Sequence, residues 1–362
     1  MVHRVTVIPG DGIGPDVIDA ACRVFEATGV GVQWDRHEVG LAAIEKGGDP
    51  LPETTLTSVR ANRVALKGPV STPTGRSGFR SVNVGLRRSL GLFAQVRPCR
   101  SRPGVVAPFL DVDVVVIRET TEDLYAGIEF ESASEGAREV ISAARRHGRG
   151  DIPAAAGLSI KFVTQEASRR LLEFAIEYAR REGRMRVTVV HKANVMRCTD
   201  GILLDVAREI APTAPDIEFD EQQIDNVCGQ LVRRPEDFDI LVMGVQYGDV
   251  VSDLAAGLVG GVGVVPGVNV GGQTAMFEPA HGTAPRLAGL GRADPTAAIL
   301  CGALLLAHLG EPEAAQRVEQ AVEAVVAEGR CVTYDLRSAP DPRPVVNTEA
   351  MTDAIVASLA RG

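Results

Sequence analysis

The chain contains no Cys-x-x-Cys pair; its six cysteines (Cys22, Cys99, Cys198, Cys228, Cys301 and Cys331) lie far apart. That spacing excludes a zinc cluster and gives no disulfide framework, so buried, reduced thiols are expected. Aromatic residues are scarce, with a single tryptophan, while Gly, Ala and Val abound. This balance suits α/β layers better than an all-β sandwich. Basic residues are outnumbered, and the net charge of −9 argues against a nucleic-acid partner, whose phosphates demand an excess of Lys and Arg. One uncharged stretch, 254–272, nears the length needed to cross a bilayer. Its glycines, its Pro266 and the aspartates just before it point to a buried helix and loop, so no membrane partner is expected. The start of the chain runs straight into an apolar strand and then Asp11, which is not the form of a signal peptide. A cytoplasmic protein is expected.

What is present is alternation. A chain of 362 residues suggests two domains. Short Val/Ile-rich runs at 4–8, 113–118, 186–190 and 238–243 read as strands separated by helical patterns. The clearest helix follows Thr164 as its cap. Ala167, Leu171, Phe174, Ala175 and Tyr178 form its apolar face, and Gly183 ends it. Such alternation implies a sheet covered by helices on both faces. The segment 131–156 is rich in Ser, Ala, Gly and Arg and shows little periodicity. Its Arg145-Arg146-His147 run has no interleaved aromatics for stacking on RNA, so an exposed arm or interface element is expected.

Gly10, Gly12 and Gly14 follow the first strand, but G-x-G-x-G-P is not the G-x-G-x-x-G of a dinucleotide site. A tight strand-to-helix turn with Pro15 at an early helical position accounts for them equally well. Farther on, Asp249 and Asp253 are four residues apart after an apolar strand, and Asp225 lies upstream. The pair shares one helical face, so both can address one ion; oxygen-only ligands suit Mg²⁺ or Mn²⁺ rather than Zn²⁺. Alternatively Asp249 caps the helix and Asp253 is solvated.

Eight segments in order, IPGDGIGPDV, KGPVSTPTG, FRSVNVGLRRSLGLFAQVRP, VVIRETTEDLYAGIE, TVVHKANVMRCTDG, QIDNVCGQLV, YGDVVSDLAAGLVGGVG and FEPAHGTAPRLAG, resemble the β-decarboxylating dehydrogenases. That family comprises isocitrate, isopropylmalate, homoisocitrate and tartrate dehydrogenases, and isocitrate dehydrogenase is the most similar. The resemblance implies an α/β fold of two α/β/α domains, not the Rossmann fold. A large discontinuous cofactor-binding domain would take 1–98 plus 254–362, and a small dimerisation domain 99–253, with an arm at about 128–160. It further implies a homodimer whose active sites are shared between subunits.

The same resemblance assigns roles. Arg87, Arg97 and Arg118 would grip the carboxylates of a hydroxy acid, each guanidinium offering two parallel hydrogen bonds. Thr72 joins them at the substrate. Ser81 and Asn83 would bond the extra carboxylate of isocitrate, where isopropylmalate enzymes carry apolar residues; unpaired against an isopropyl group, they would be costly. Asp249 and Asp253, with Asp225 of the partner subunit, would hold the metal ion. Lys192, also from the partner, would take the hydroxyl proton, and Tyr125 would return a proton to the enolate carbon. The run Glu278, His281, Gly282, Thr283, Ala284, Pro285 resembles the adenosine loop. Arg286 followed by Leu287 stands where NAD-using relatives carry an acid, and Tyr334 with Arg337 resembles a segment that meets the 2′-phosphate, so NADP is expected, with NAD possible. Several positions depart from the pattern. Asp294 replaces the Asn that reads the adenine ring, Thr120 replaces an Asn after Arg-Glu, and Val245-Gln246 replaces Asn-Leu. These leave homoisocitrate, an isopropylmalate-type substrate or a specialised isocitrate analogue as alternatives. A non-catalytic subunit of a heteromeric dehydrogenase is a further one, although Tyr125, Lys192, Asp225, Asp249 and Asp253 are all retained.

Overall fold

The computed structural model describes residues 2–73, 78–337 and 345–361. The last two residues of the KGPVSTPTG segment lie outside them. Among the described residues there are twelve strands: β1 (His3–Ile8), β2 (Val32–Arg36), β3 (Val64–Lys67), β4 (Leu92–Arg100), β5 (Asp113–Glu119), β6 (Glu129–Phe130), β7 (Leu158–Ser159), β8 (Arg186–His191), β9 (Glu218–Gln223), β10 (Ile240–Met243), β11 (Val268–Gly271) and β12 (Thr274–Phe277). Ten form one sheet in the order β2-β1-β3-β12-β11-β4-β5-β10-β8-β9, and β6 pairs with β7 apart from it. Pairing is parallel in both outer halves but antiparallel through β12-β11-β4-β5. That centre separates the fold from the Rossmann arrangement, whose sheet is mostly parallel.

The expected strands at 4–8, 113–118 and 186–190 form with one residue added at an end. The fourth is shorter than expected: a 3-10 turn at Pro235–Asp237 takes up the approach, and pairing begins at Ile240. The helix Gln165–Glu182 starts on the Thr164 side chain, which accepts from the Ala167 N–H, and ends at Gly183 in the left-handed conformation. The segment 131–156 corrects the expectation of little pattern, because Glu135–Arg146 is a helix capped by Ser134. Its inward stripe is Ala137, Val140, Ile141 and Ala144, at the spacing of an amphipathic helix. Arg145 and Arg146 occupy its last turn, where cations complement the helix dipole. Among the described residues no helix is long and apolar enough to cross a membrane. The stretch 254–272 is the end of one helix, a short turn and β11.

Among the described residues three apolar clusters pack on the wider sheet, the smallest around Ile8, Leu56, Leu86, Leu92 and Met276; the other two are larger. One packs Phe25, Leu241, Met243, Ile299 and Val322 across chain-distant segments; the other packs Leu171, Leu172, Ile117 and Val242 beneath Gln165–Glu182. The boundaries expected at 98/99 and 253/254 fall inside β4 and inside the helix Val245–Leu258. All six cysteines are free, yet only Cys22, Cys99 and Cys301 are buried, with thiols pushed up to about 12 chiefly by burial. Cys198 is exposed and Cys228 and Cys331 are half-buried, so the expectation of uniformly buried thiols is corrected.

Candidate active site

The antiparallel centre brings polar side chains into register. Asn269 of β11 pairs with Gln95 of β4, and Gln95 pairs with Arg118 of β5, so the three stand in a row on one face. Gln95 links its neighbours: its amide donates to Glu278 at 2.9 Å, and its oxygen accepts from Arg118 Nε at 2.7 Å. Glu278, just past β12, also receives Lys67 (2.6 Å), Arg87 (3.0 Å) and Asn269 (2.8 Å). Burial works to raise the Glu278 carboxyl, but Lys67 and Arg87 outweigh it and hold it well below the usual range. Glu278, assigned to the cofactor loop by resemblance, thus has both oxygens engaged by the protein.

Above this row lies a cleft of about 250 Å³ whose lining includes Ser81, Asn83, Arg87, Arg97, Arg118 and Tyr125. The helix Val245–Leu258 supplies the acids. It begins on Gly244, so Asp249 sits in its second turn and does not cap it. Gly248 permits the approach to β5, since a Cβ there would lie 2.3 Å from Arg118 Cβ. Asp249 then reaches Arg118 at 2.6 Å and accepts from the Tyr125 hydroxyl at 2.8 Å. One turn on, Asp253 meets Arg97 at 2.5 Å. Burial raises the Asp249 carboxyl, but Arg118, Tyr125 and Arg97 together hold it below its usual value. Arg118 is pulled down to about 10 by burial and by Arg87 nearby. Burial and the Asp249 carboxylate push the Tyr125 phenol up to about 12, so it keeps its proton at neutral pH.

Ser81 caps the helix Val82–Ser89 and receives the Thr72 hydroxyl at 3.4 Å. The Asn83 side-chain oxygen is buried without a hydrogen-bond partner among the described residues, and Arg97 Nε is in the same position. Buried polar atoms of this kind are costly unless a ligand completes them.

Lys192 and Asp225 lie elsewhere on the chain, bonded to each other at 2.5 Å, with Gln223 on the Lys192 ammonium at 3.1 Å. Lys192 holds the Asp225 carboxyl below its usual value. Asp225 lines a separate surface hollow with His191, Arg208 and Asn226. Among the described residues no three metal-ligating side chains converge within one chain.

Beside the cleft, Gly12 packs against the adenosine-like loop: its Cβ would lie 2.0 Å from the Thr283 carbonyl, which accepts the Ile13 N–H. The N-terminal glycines therefore admit the protein's own backbone. Gly282 is exposed, Ala284 takes a left-handed conformation, and Pro285–Leu287 forms a 3-10 turn that displays Arg286 while Leu287 packs on the core. His281 bonds the Gly282 carbonyl through Nδ1, Nε2 is buried without a partner among the described residues, and burial lowers its basicity. Asp294 is buried and accepts from the Thr296 N–H and hydroxyl; burial and nearby Asp335 push it up to about 7. Tyr334 is exposed with Arg292 over its ring, and Arg337 follows on the same segment. Thr120, in place of Asn, is turned away from the cleft and donates to the Leu92 carbonyl. Sequence reasoning missed Gln95, Asn269 and the role of Lys67, which only the strand register brings together.

A family model described as isocitrate/isopropylmalate dehydrogenase matches residues 4–355. The chain is 44% identical over 335 residues to a probable mitochondrial NAD isocitrate dehydrogenase subunit alpha of Caenorhabditis elegans, covering 92% of this chain and 88% of that protein. It is 41% identical over 328 residues to a chloroplastic 3-isopropylmalate dehydrogenase of Solanum tuberosum, covering 90% and 86%. A crystal structure of isocitrate dehydrogenase from Methylococcus capsulatus superimposes with a TM-score of 0.89 at 49% identity, with 99% of each chain covered.

Proposed function

Because the chain belongs to the isocitrate/isopropylmalate dehydrogenase family and is an isocitrate dehydrogenase-like decarboxylating oxidoreductase, we propose that it converts isocitrate to 2-oxoglutarate and CO₂. The hydride would pass to NADP, with NAD as the alternative. One observation carries the substrate: Ser81 and Asn83 line the same cleft as Arg87, Arg97 and Arg118. Three guanidinium groups suit a polycarboxylate, and the two polar side chains would be left unpaired by an isopropyl group.

Asp249 and Asp253 offer oxygens on one face of one helix, and Asp225 of the partner subunit would complete the set. This all-oxygen set fits Mg²⁺ or Mn²⁺. When bound, such an ion polarises the substrate's hydroxyl and carbonyl oxygens and stabilises negative charge there. The arginines hold the carboxylates in one orientation. Lys192 of the partner subunit accepts the hydroxyl proton as hydride leaves the same carbon. After CO₂ loss Tyr125, protonated and aimed by Asp249, gives its proton to the enolate carbon. Shared sites of this kind require a homodimer, with 99–253 as the dimerisation domain and 1–98 plus 254–362 holding the cofactor. The six free thiols suit a reducing compartment, the cytoplasm in the simplest case.

Absorbance of reduced nicotinamide in the near ultraviolet tests the reading. Isocitrate with Mn²⁺ is expected to give rapid reduction, which a chelator abolishes and added Mn²⁺ restores. Faster turnover of isopropylmalate would overturn the substrate assignment, and turnover indifferent to the chelator would remove the metal. Arg286, Tyr334 and Arg337 favour NADP because a 2′-phosphate gains charge-assisted bonds from them. Arg286→Asp is expected to raise KM for NADP by about tenfold to a hundredfold and to spare NAD. An unchanged ratio of the two would refute that role.

A further inference from the structure

Lys161 lies outside the cleft, in the loop between β7 and the helix Gln165–Glu182, with its side chain 14% exposed. Its ammonium is 2.7 Å from Asp200 Oδ1 and 3.4 Å from Asp123 Oδ2, and it stands over the Tyr247 ring at 5.0 Å. Both aspartates are buried, and the four side chains border a small cavity of about 30 Å³.

Each aspartate holds a residue to which the chemistry is assigned. Asp123 accepts from the Leu124 N–H at 2.7 Å and so starts the 3-10 turn Leu124–Ala126 that carries Tyr125. It does so at φ 60° and ψ −157°, a positive-φ region nearly confined to glycine that costs other residues about 1–3 kcal/mol unless their surroundings impose it. The surroundings do so: the Asp123 N–H donates to Phe162, and Glu122 accepts both the N–H and the hydroxyl of Thr164. The loop bearing Lys161 is thereby stitched to the Tyr125 turn. Asp200 opens the helix Asp200–Ile210, and its other oxygen accepts the Lys192 N–H at 2.7 Å. One ammonium therefore contacts the Asp200 anchor closely and lies within ion-pair distance of the other, Asp123, whose Oδ2 has no hydrogen-bond partner among the described residues.

We propose that Lys161 is a positioning residue for Tyr125 and Lys192 alike, so that in the dimer one half-buried ammonium holds the proton donor of one active site and the base of the other. The inference rests on the roles proposed above for those two residues. Without the ammonium, two buried carboxylates face each other and both anchors relax. Displacing a catalytic group by about 1 Å costs roughly 10²-fold in rate.

The test compares wild type, Lys161→Met and Lys161→Arg in two assays. One is steady-state isocitrate oxidation. The other is deuterium exchange at the β-carbon of 2-oxoglutarate in D₂O, which reads the Tyr125 step without hydride transfer. Lys161→Met is expected to slow both by about 10²-fold while KM for isocitrate stays within about threefold, and Lys161→Arg is expected to recover both together. Slowing of one rate alone, retention of both, or a rise in KM at unchanged kcat overturns the proposal. If Lys161→Met does not fold, Asp200→Asn decides. It keeps an oxygen for the Lys192 N–H but weakens the ammonium contact on that side only, so oxidation should slow about tenfold and exchange should not; equal slowing of the two overturns the proposal. A wild-type enzyme without isocitrate turnover fails the proposed function itself, before any variant is compared.

Discussion

Lys192→Met is expected to lower turnover of isocitrate by at least about 10²-fold to 10⁴-fold, the range for loss of a positioned general base. The fold should not suffer. Among the described residues the Lys192 ammonium bonds Asp225 and Gln223, and Asp225 is 68% exposed. An ion pair exposed in this way, screened by solvent, adds little to stability. Unchanged melting and an unchanged dimer beside lost activity would therefore assign the loss to chemistry. The geometry permits a sharper experiment. Within one chain Lys192 and Asp225 lie apart from the cleft that holds Tyr125 and Asp249. If the sites are shared, Lys192→Met and Asp249→Asn chains, each inactive alone, complement when mixed: a hybrid dimer contains one site built from the intact Asp249 of one chain and the intact Lys192 of the other. Random reassortment is expected to restore about a quarter of wild-type activity. No recovery in a verified hybrid would mean that each site is built within one chain. Near-normal activity of Lys192→Met alone would remove Lys192 from the mechanism.

How far the sequence reveals this arrangement differs from element to element. The helix Gln165–Glu182 was legible to the residue because Thr164, the apolar stripe and Gly183 all agree. The helix Glu135–Arg146 was overlooked although its signals are there: Ser134 caps it, and Ala137, Val140, Ile141 and Ala144 recur at helical spacing within a segment whose bulk composition of Ser, Ala, Gly and Arg reads as a loop. The central strand β4 hid for a different reason. β4 buries Gln95 and Arg97 and contains Pro98, so the residues that build the site break the apolar pattern by which a buried strand is recognised. Likewise β9, EFDEQQ, is a polar edge strand paired on one side only. The arginines and aspartates of the cleft stood out through motif spacing. The links between them (Gln95, Asn269, Lys67 and Lys161) come from long-range register and packing, to which local sequence pattern is blind.

The second large effect follows from that register. Glu278→Ala is expected to destabilise the fold by about 3–5 kcal/mol, because it leaves Lys67 and Arg87 buried without their carboxylate. Arg87 already depresses Arg118, so removal of the Glu278 carboxylate sharpens repulsion among the cations. Glu278→Gln keeps the shape and one acceptor oxygen but not the charge, and should retain most of the loss. The pH dependence gives the test its sign. A carboxyl whose folded pKa is depressed contributes fully above its unfolded value, about 4.3, and loses that contribution as pH falls toward the folded value. The melting gap between wild type and Glu278→Gln should thus be widest near neutrality and shrink in acid. Isocitrate should narrow it as well, since the arginines of the cleft would then have substrate carboxylates as partners. A gap that is constant from neutral pH into acid would show that Glu278 contributes through shape alone, and the cationic row would then be held by its hydrogen bonds rather than by the buried charge.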